Sequence, residues 1–302
     1  MSAGWLVNDK LTCIPGTETL WHYLLDWLDL EDHCSSSGSF GNLASEVELK
    51  LEEDKPSYIL RNASYFGRIQ TEVPTISFLQ DCQPGNSTQM EVCANSDLVV
   101  FNSEYTKSKY EGDVPRAVVI PIGVDFSLFK PSLVKESLRS KWGIQEGSVL
   151  FVGADTDVKN FRLMNEIIDK SSRNFVLVMK DGYLDTRSNV SVFNRLGHSD
   201  LVEVMNCCSL GVCTSKVETQ HLAGIEMGGC DLPILSTDVG IYHGRESGDW
   251  GQVVGGGVEG WVTLIEEYAN SNCRARDYWL SAGLDLEGCR DAWGLAVFSI
   301  LP

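Results

Sequence analysis

The chain has 302 residues, 24 Lys plus Arg against 42 Asp plus Glu, and a formal net charge of −18 at pH 7. Hydrophobic residues make up 43% and charged residues 22%, an ordinary globular balance that excludes intrinsic disorder and collagen-like or coiled-coil architectures. The negative excess disfavours non-specific binding to nucleic-acid backbones or anionic membrane surfaces, and the length fits two domains that each close a core.

In chain order, the opening Met1 to Cys13 has no basic segment leading into an apolar one, and no window approaches the roughly 20 apolar residues of a spanning helix. A cytoplasmic protein without stable membrane insertion is expected. Ser35 to Ser39 reads as a short flexible loop. Tyr58 to Asn62, Pro74 to Leu79, Leu98 to Phe101 and Ala117 to Pro121 are short apolar runs of buried-strand type. The polar stretch Lys130 to Gly147, with a helical pattern over Val134 to Trp142, is the natural join between two α/β domains. Beyond it the alternation is clearer. Ser148 to Gly153 is a strand, Phe161 to Ile168 a helix with apolar residues three and four apart, and Asn174 to Met179 and Val190 to Phe193 are further strands. A helix is expected from Ser199-Asp200, with the hydroxyl as cap. Ser209 to Cys213, a helix near Leu222 to Met227 and Pro233 to Thr237 complete the pattern, and a ligand is expected at the carboxyl ends of these strands.

Glu218 and Glu226 flank a helix start. The amides and positive dipole there suit a diphosphate, and the carboxylates can accept hydrogen bonds from sugar hydroxyls. Two solvated acids remain the alternative on spacing alone. Lys159 occupies the strand-to-helix loop after Gly153, where an ammonium neutralises phosphate charge at the same strand edge. The ten cysteines show no CxxC spacing and several lie in apolar runs, the pattern of a reduced interior. The five histidines offer no HExxH, so no metal is expected.

These segments resemble the retaining glycosyltransferases of the GT-B fold, family 4 (group 1). Glu218 to Glu226 is similar to that family's two glutamates separated by seven residues, with Cys230 and Pro233 following. Leu196-Gly197-His198-Ser199-Asp200-Leu201 resembles its glycine turn. Val119 to Asp125 followed by Phe129-Lys130-Pro131 resembles its interdomain segment, and Asp97 to Thr106 its strand and Ser-rich turn. Ile14 to Glu18 and Leu20 to Leu24 look like its glycine-rich loop and first helix.

The resemblance implies two Rossmann-like domains facing each other across a cleft: residues 1–140 on the acceptor side, residues 141–272 for the donor, and a helical segment 273–302 packing back toward the first domain. It implies transfer of a sugar from a nucleotide-diphosphate sugar, a UDP- or GDP-sugar, to an acceptor hydroxyl with retention and without a metal or other cofactor. By the same resemblance, Glu218 is expected to face the transferred sugar, Lys159 to hold the diphosphate with the amides of Leu222 and Ala223, and Glu226 to take the ribose. Asn194, Arg195 and Leu196 lie near the base, Gly153 ends the strand ahead of Lys159, and Gly16 lets the backbone approach the donor. The acceptor, whether saccharide, lipid-linked saccharide, metabolite or modified base, stays open.

The chain departs from the family at Thr219-Gln220-His221, where two glycines are usual, and at Ala154, where an arginine is usual; Arg162 or Lys180 are candidate replacements. Gln80, beside Asp81, stands where a first-domain histidine is common, so both are acceptor-side candidates. Trp21 and Trp27 are candidates for stacking on sugar rings, and Arg61, Arg68, Lys107, Lys109 and Arg116 for a local basic surface. A non-catalytic sugar-nucleotide binding module, or a nucleotide-sugar epimerase or phosphorylase on the same fold, stands as the alternative function.

Overall fold

The computed structural model describes residues 4–7, 17–32, 40–63, 67–81, 85–271 and 273–301. The chain divides into two compact units, one running to Gly123 and taken up again from Glu287, the other Val124–Leu286.

The first unit contains β1 (Gly4–Val7), α1 (Thr17–Trp27), β2 (Leu30–Asp32), α2 (Phe40–Asp54), β3 (Ile59–Asn62), β4 (Thr75–Leu79), α3 (Ser87–Ala94), β5 (Leu98–Phe101), α4 (Glu104–Lys109) and β6 (Ala117–Val119). Its six strands are parallel in the order β2-β1-β3-β4-β5-β6. A parallel sheet with helices on its faces buries both sides of each strand, which is why β5 reads as a continuous apolar run and why β3 and β4 are buried throughout, their polar Arg61, Asn62, Thr75 and Ser77 included. Asn86 and Ser103 start α3 and α4 by accepting hydrogen bonds from the otherwise unpaired amides of the first turns.

Trp21 on α1 is fully buried, not a surface platform for a sugar: its ring meets Phe78 edge-on at 5.9 Å between centroids. Trp293, on α11 (Leu286–Phe298), also meets Phe78 edge-on, at 5.3 Å. Trp27 is half-buried and stacked on Tyr23. Of the expected basic surface, Arg61 and Arg68 line one pocket together with Glu72 and Asp97, and the rest have separate settings. Arg61 is buried, Arg116 donates to the Ser299 carbonyl, Lys107 faces Glu104, and Lys109 lies over the Tyr105 ring.

The second unit contains α5 (Lys135–Trp142), β7 (Val149–Gly153), α6 (Phe161–Lys170), β8 (Phe175–Met179), β9 (Val190–Asn194), α7 (His198–Cys207), β10 (Leu210–Cys213), α8 (Leu222–Gly229), β11 (Ile234–Ser236), β12 (Gly251–Val253), α9 (Val258–Tyr268) and α10 (Ala275–Ser281). Its strands are parallel in the order β12-β11-β10-β7-β8-β9. On α6, Phe161, Met164, Ile167 and Ile168 are buried at helical spacing, and they pack with Phe151, Leu177, Trp261 and Ile265. Each such side chain contributes about 1.5–3 kcal/mol when fully buried.

The polar stretch 130–147 belongs to this unit: the Trp142 indole donates to Glu203 Oε2 on α7 at 2.7 Å and meets Phe193 edge-on. The segment after residue 273 is shared, α10 lying in the second unit and residues from Glu287 onward in the first. The expected hydroxyl cap at Ser199 is absent. Arg195 turns the chain in a left-handed conformation, and α7 begins one residue sooner, at His198 behind an N-cap Gly197 that makes no side-chain bond. No helix among the described residues is long and apolar enough to cross a membrane.

Candidate functional site

In the second sheet, strands β7, β8 and β9 run outward to one side and β10, β11 and β12 to the other. The order reverses between β7 and β10, and in open α/β sheets the loops leaving the carboxyl ends at such a reversal splay apart and leave room for a ligand. Lys159 follows β7 and Glu218 follows β10. The two loops are tied together by Thr214 Oγ1 donating to the Lys159 carbonyl at 2.9 Å and the Lys216 amide to the Val158 carbonyl at 2.8 Å. Lys159 Nζ then reaches Glu218 Oε1 at 2.5 Å, and the Ser215 hydroxyl donates to the same oxygen at 2.8 Å. Burial opposes the charge on Glu218, but His221, Lys159 and the bonds from Lys159 and Ser215 outweigh it and hold the carboxyl below its ordinary range.

Between the two glutamates stands His221, the N-cap of α8, in a left-handed backbone conformation with φ 74°. That conformation favours glycine. The tertiary structure maintains it: the buried imidazole meets the Tyr242 hydroxyl through Nδ1 at 2.8 Å. Gly224, one turn on, makes space for the contact, since a Cβ there would lie 1.7 Å from Tyr242 Oη. Burial disfavours a charged imidazole, but the Cys213 thiol and then Glu218 outweigh it and raise the His221 pKa, while His221 in turn draws the thiol below its ordinary value against the same burial. No side chain caps α8, so the amides of Leu222 and Ala223 face its start as donors. Glu226, within the first turns, is pushed up to about 7 by burial, with His221 opposing.

The other candidates fall at the same edge or outside it. Gly153 ends β7, and its carbonyl accepts from the Lys180 amide at 2.8 Å, which sets Lys180 at the strand edge. Arg162 is 89% exposed and paired with Glu166 on its own helix. Asn194 is committed to Tyr183, accepting from its amide at 3.0 Å and donating to its carbonyl at 3.1 Å. Arg195 donates to the Lys180 carbonyl, and Leu196 is half-buried beside it. Gln80 and Asp81 belong to the other unit, directly after β4, where Asn102 Nδ2 donates to the Gln80 carbonyl and Gln89 Nε2 to that of Asp81, both at 3.0 Å. Gly16 lies outside the described residues.

Sequence reasoning had no grip on Cys213 and Tyr242. Both look like core residues in their own segments, and only His221, standing where a turn glycine is usual, pointed toward them. The ligand atoms of Cys213, Glu218 and His221 all lie within 4.8 Å of one another. The seven described cysteines, Cys213 among them, are free thiols.

No protein-family model matches the chain. An uncharacterized glycosyltransferase of Methanocaldococcus jannaschii is 29% identical over 189 residues, covering 59% of this chain and 47% of the relative, so the chain spans about half the length of the curated relative it matches. Among solved structures, Anabaena HepE in complex with UDP and glucose superposes with a TM-score of 0.72 at 16% identity, covering 98% of this chain and all of that one. Sucrose-phosphate synthase from Thermosynechococcus elongatus gives a TM-score of 0.76 at 14% identity over 98% of each chain. The fold is GT-B, and in both sequence and fold the chain resembles glycosyltransferases.

Proposed function

We propose that the second unit binds a nucleotide-diphosphate sugar where its strand order reverses, and that the protein transfers the sugar to an acceptor hydroxyl with retention and without a metal ion. The observation that carries this reading is the Lys159–Glu218 pair, 2.5 Å apart at the mouth of α8. It is a cation and a carboxylate held together at a phosphate-binding helix start, each ready to exchange its partner for part of the donor. On binding, Lys159 and the amides of Leu222 and Ala223 take the diphosphate, and Glu218 is released to accept hydrogen bonds from the sugar hydroxyls. Lys180 supplies the second cation in place of the arginine replaced by Ala154. Glu226 accepts from the ribose hydroxyls, and the turn Asn194 to Leu196 borders the base.

Fixed positive groups aimed at the departing diphosphate lower the barrier without reorganising during the reaction, and they supply the charge that a divalent ion supplies elsewhere. The departing phosphate oxygen accepts the acceptor hydroxyl's proton on the face it leaves, so the new bond forms on that same face and configuration is retained. Glu218 orients the sugar and forms no bond to it. Gln80 and Asp81 are the proposed acceptor-side residues and Gly16 a donor contact. A UDP-sugar is the first donor to try, because HepE is solved with UDP and glucose.

The test is calorimetry and thermal shift with UDP, GDP, ADP and their sugars, on the wild type and on Glu226→Ala. Nucleotide at 100 times its Kd adds about 2.7 kcal/mol to stability, and the gain disappears in the variant. Release of nucleoside diphosphate that depends on an added acceptor, with the product's anomeric configuration read by NMR, then separates a transferase from a binding module. A wild type that no nucleotide stabilises overturns the reading.

A further inference from the structure

We propose that Cys213, Glu218 and His221 form a binding site for a zinc-class divalent ion, using a soft thiolate, an imidazole and a carboxylate from the end of β10, the following loop and the cap of α8. The three ligand atoms already lie within 4.8 Å of one another. In a tetrahedral zinc site, with Zn–S about 2.3 Å and Zn–N or Zn–O about 2.0–2.2 Å, ligand atoms sit about 3.3–3.8 Å apart. The ligand atoms must therefore draw together by up to about 1–1.5 Å to close on the ion.

The donor set selects the ion. Thiolate with imidazole suits zinc and excludes magnesium and calcium, which take oxygen ligands. Lys159 and Ser215 both bond Glu218 through Oε1, so Oε2 is the oxygen that turns to the metal. His221 Nδ1 is engaged by the Tyr242 hydroxyl, which leaves Nε2 as the ligating nitrogen. A phenol oxygen on the far imidazole nitrogen fixes tautomer and ring orientation, as the outer partners of metal-bound histidines do. Water takes the fourth position. On binding, the thiol proton of Cys213 and any proton on Nε2 pass to solvent, so affinity rises with pH.

The site overlaps Glu218. On the donor reading above, and only on it, zinc and the donor sugar compete, so the ion acts as an inhibitor of an enzyme that itself needs no metal.

The test uses the chelator-stripped full chain. Cobalt titration reports thiolate ligation by a sulfur-to-cobalt charge-transfer band in the near ultraviolet, and zinc affinity follows from competition with a chromophoric chelator. One equivalent is expected. Cys213→Ser removes the band, and His221→Gly, a residue the left-handed backbone accepts, folds normally and weakens zinc by about 100-fold or more, beyond the range for outer partners. Tyr242→Phe weakens it by about 10–100-fold with the band retained. Cys230→Ser, with its thiol outside this cluster, leaves both readouts unchanged. Absence of the band in the wild type, or equal zinc affinity in wild type, Cys213→Ser and His221→Gly, overturns the proposal. UDP binding measured with and without zinc separates the two readings: displacement of UDP-glucose by zinc supports both, and an intact cobalt band in a chain that binds no nucleotide supports the metal site while overturning the donor reading.

Discussion

The two units carry the same kind of sheet but differ at the edge where the helices begin. After β4 and β5 the first unit carries the acid Asp81, but the hydrogen bonds there join neutral groups: Asn102 bonds the Gln80 carbonyl, Thr106 Oγ1 donates to Asn102 Oδ1 at 2.7 Å, and the Ser103 hydroxyl caps α4. After β7 and β10 the second unit holds a lysine, two glutamates, a histidine and a thiol, mostly buried and coupled to one another. Strand order separates them further. The first sheet reverses between β1 and β3 and the second between β7 and β10, so Gln80 and Asp81 stand one strand beyond their sheet's reversal, whereas Lys159 and Glu218 stand on either side of theirs. At the charged edge each buried charge is balanced by its neighbours. The neutral edge is a collection of local bonds that can be removed one at a time.

The largest break in this contrast is Lys159→Met. It leaves Glu218, 13% exposed, without its lysine. We expect a loss toward the lower end of about 3–5 kcal/mol, since Lys159 is partly exposed and His221 still faces the carboxylate. Denaturant unfolding measures it, and a double-mutant cycle with Glu218→Gln recovers part of the loss. On the proposed function, sugar transfer by Lys159→Met falls about 10²–10³-fold. An unchanged midpoint would show that the pair does not stabilise the edge.

Next comes pH. Burial holds the Glu226 carboxyl at about 7 against an ordinary 4.5, so the folded state favours its protonated form. The resulting penalty is absent below the ordinary value, grows as pH rises through this window and is complete above it. Glu226→Gln therefore gains stability relative to wild type with rising pH, by up to about 3 kcal/mol. A difference that stays flat across the window contradicts the assignment.

Gly224→Ala forces a methyl toward Tyr242 Oη and His221 Nδ1. It costs about 1–3 kcal/mol, and part of this returns when His221→Gly is added, because the removed imidazole makes room. Thermal melts of the three variants decide it. Smallest is Ser103→Ala on the neutral edge, which costs about 1 kcal/mol as an N-cap loss and does so equally at every pH where the fold persists. A pH-dependent loss there would erase the distinction between the two edges.

Much of this was legible in one chain. β5, β7, β8 and β10 are apolar because both faces of a parallel strand are buried, and α6 shows its buried stripe at helical spacing; each is a local pattern that burial imprints on composition. β2, which reads Leu30-Glu31-Asp32, and β12, which reads Gly251-Gln252-Val253, carry no such imprint. They are edge strands formed by pairing with a neighbour distant in sequence. The acid pair Glu218 and Glu226 and the loop lysine Lys159 were visible as residue types at a spacing. Tertiary structure decided that Lys159 and Glu218 meet, that Trp21 is core, and that Cys213 and Tyr242 belong with His221. Sequence determines what lies within a few residues of a position, through backbone preference and periodicity. Which buried groups share one low-dielectric space, and so which charges are balanced, depends on strand order and on loops brought together from 59 residues apart, and only the folded chain sets that.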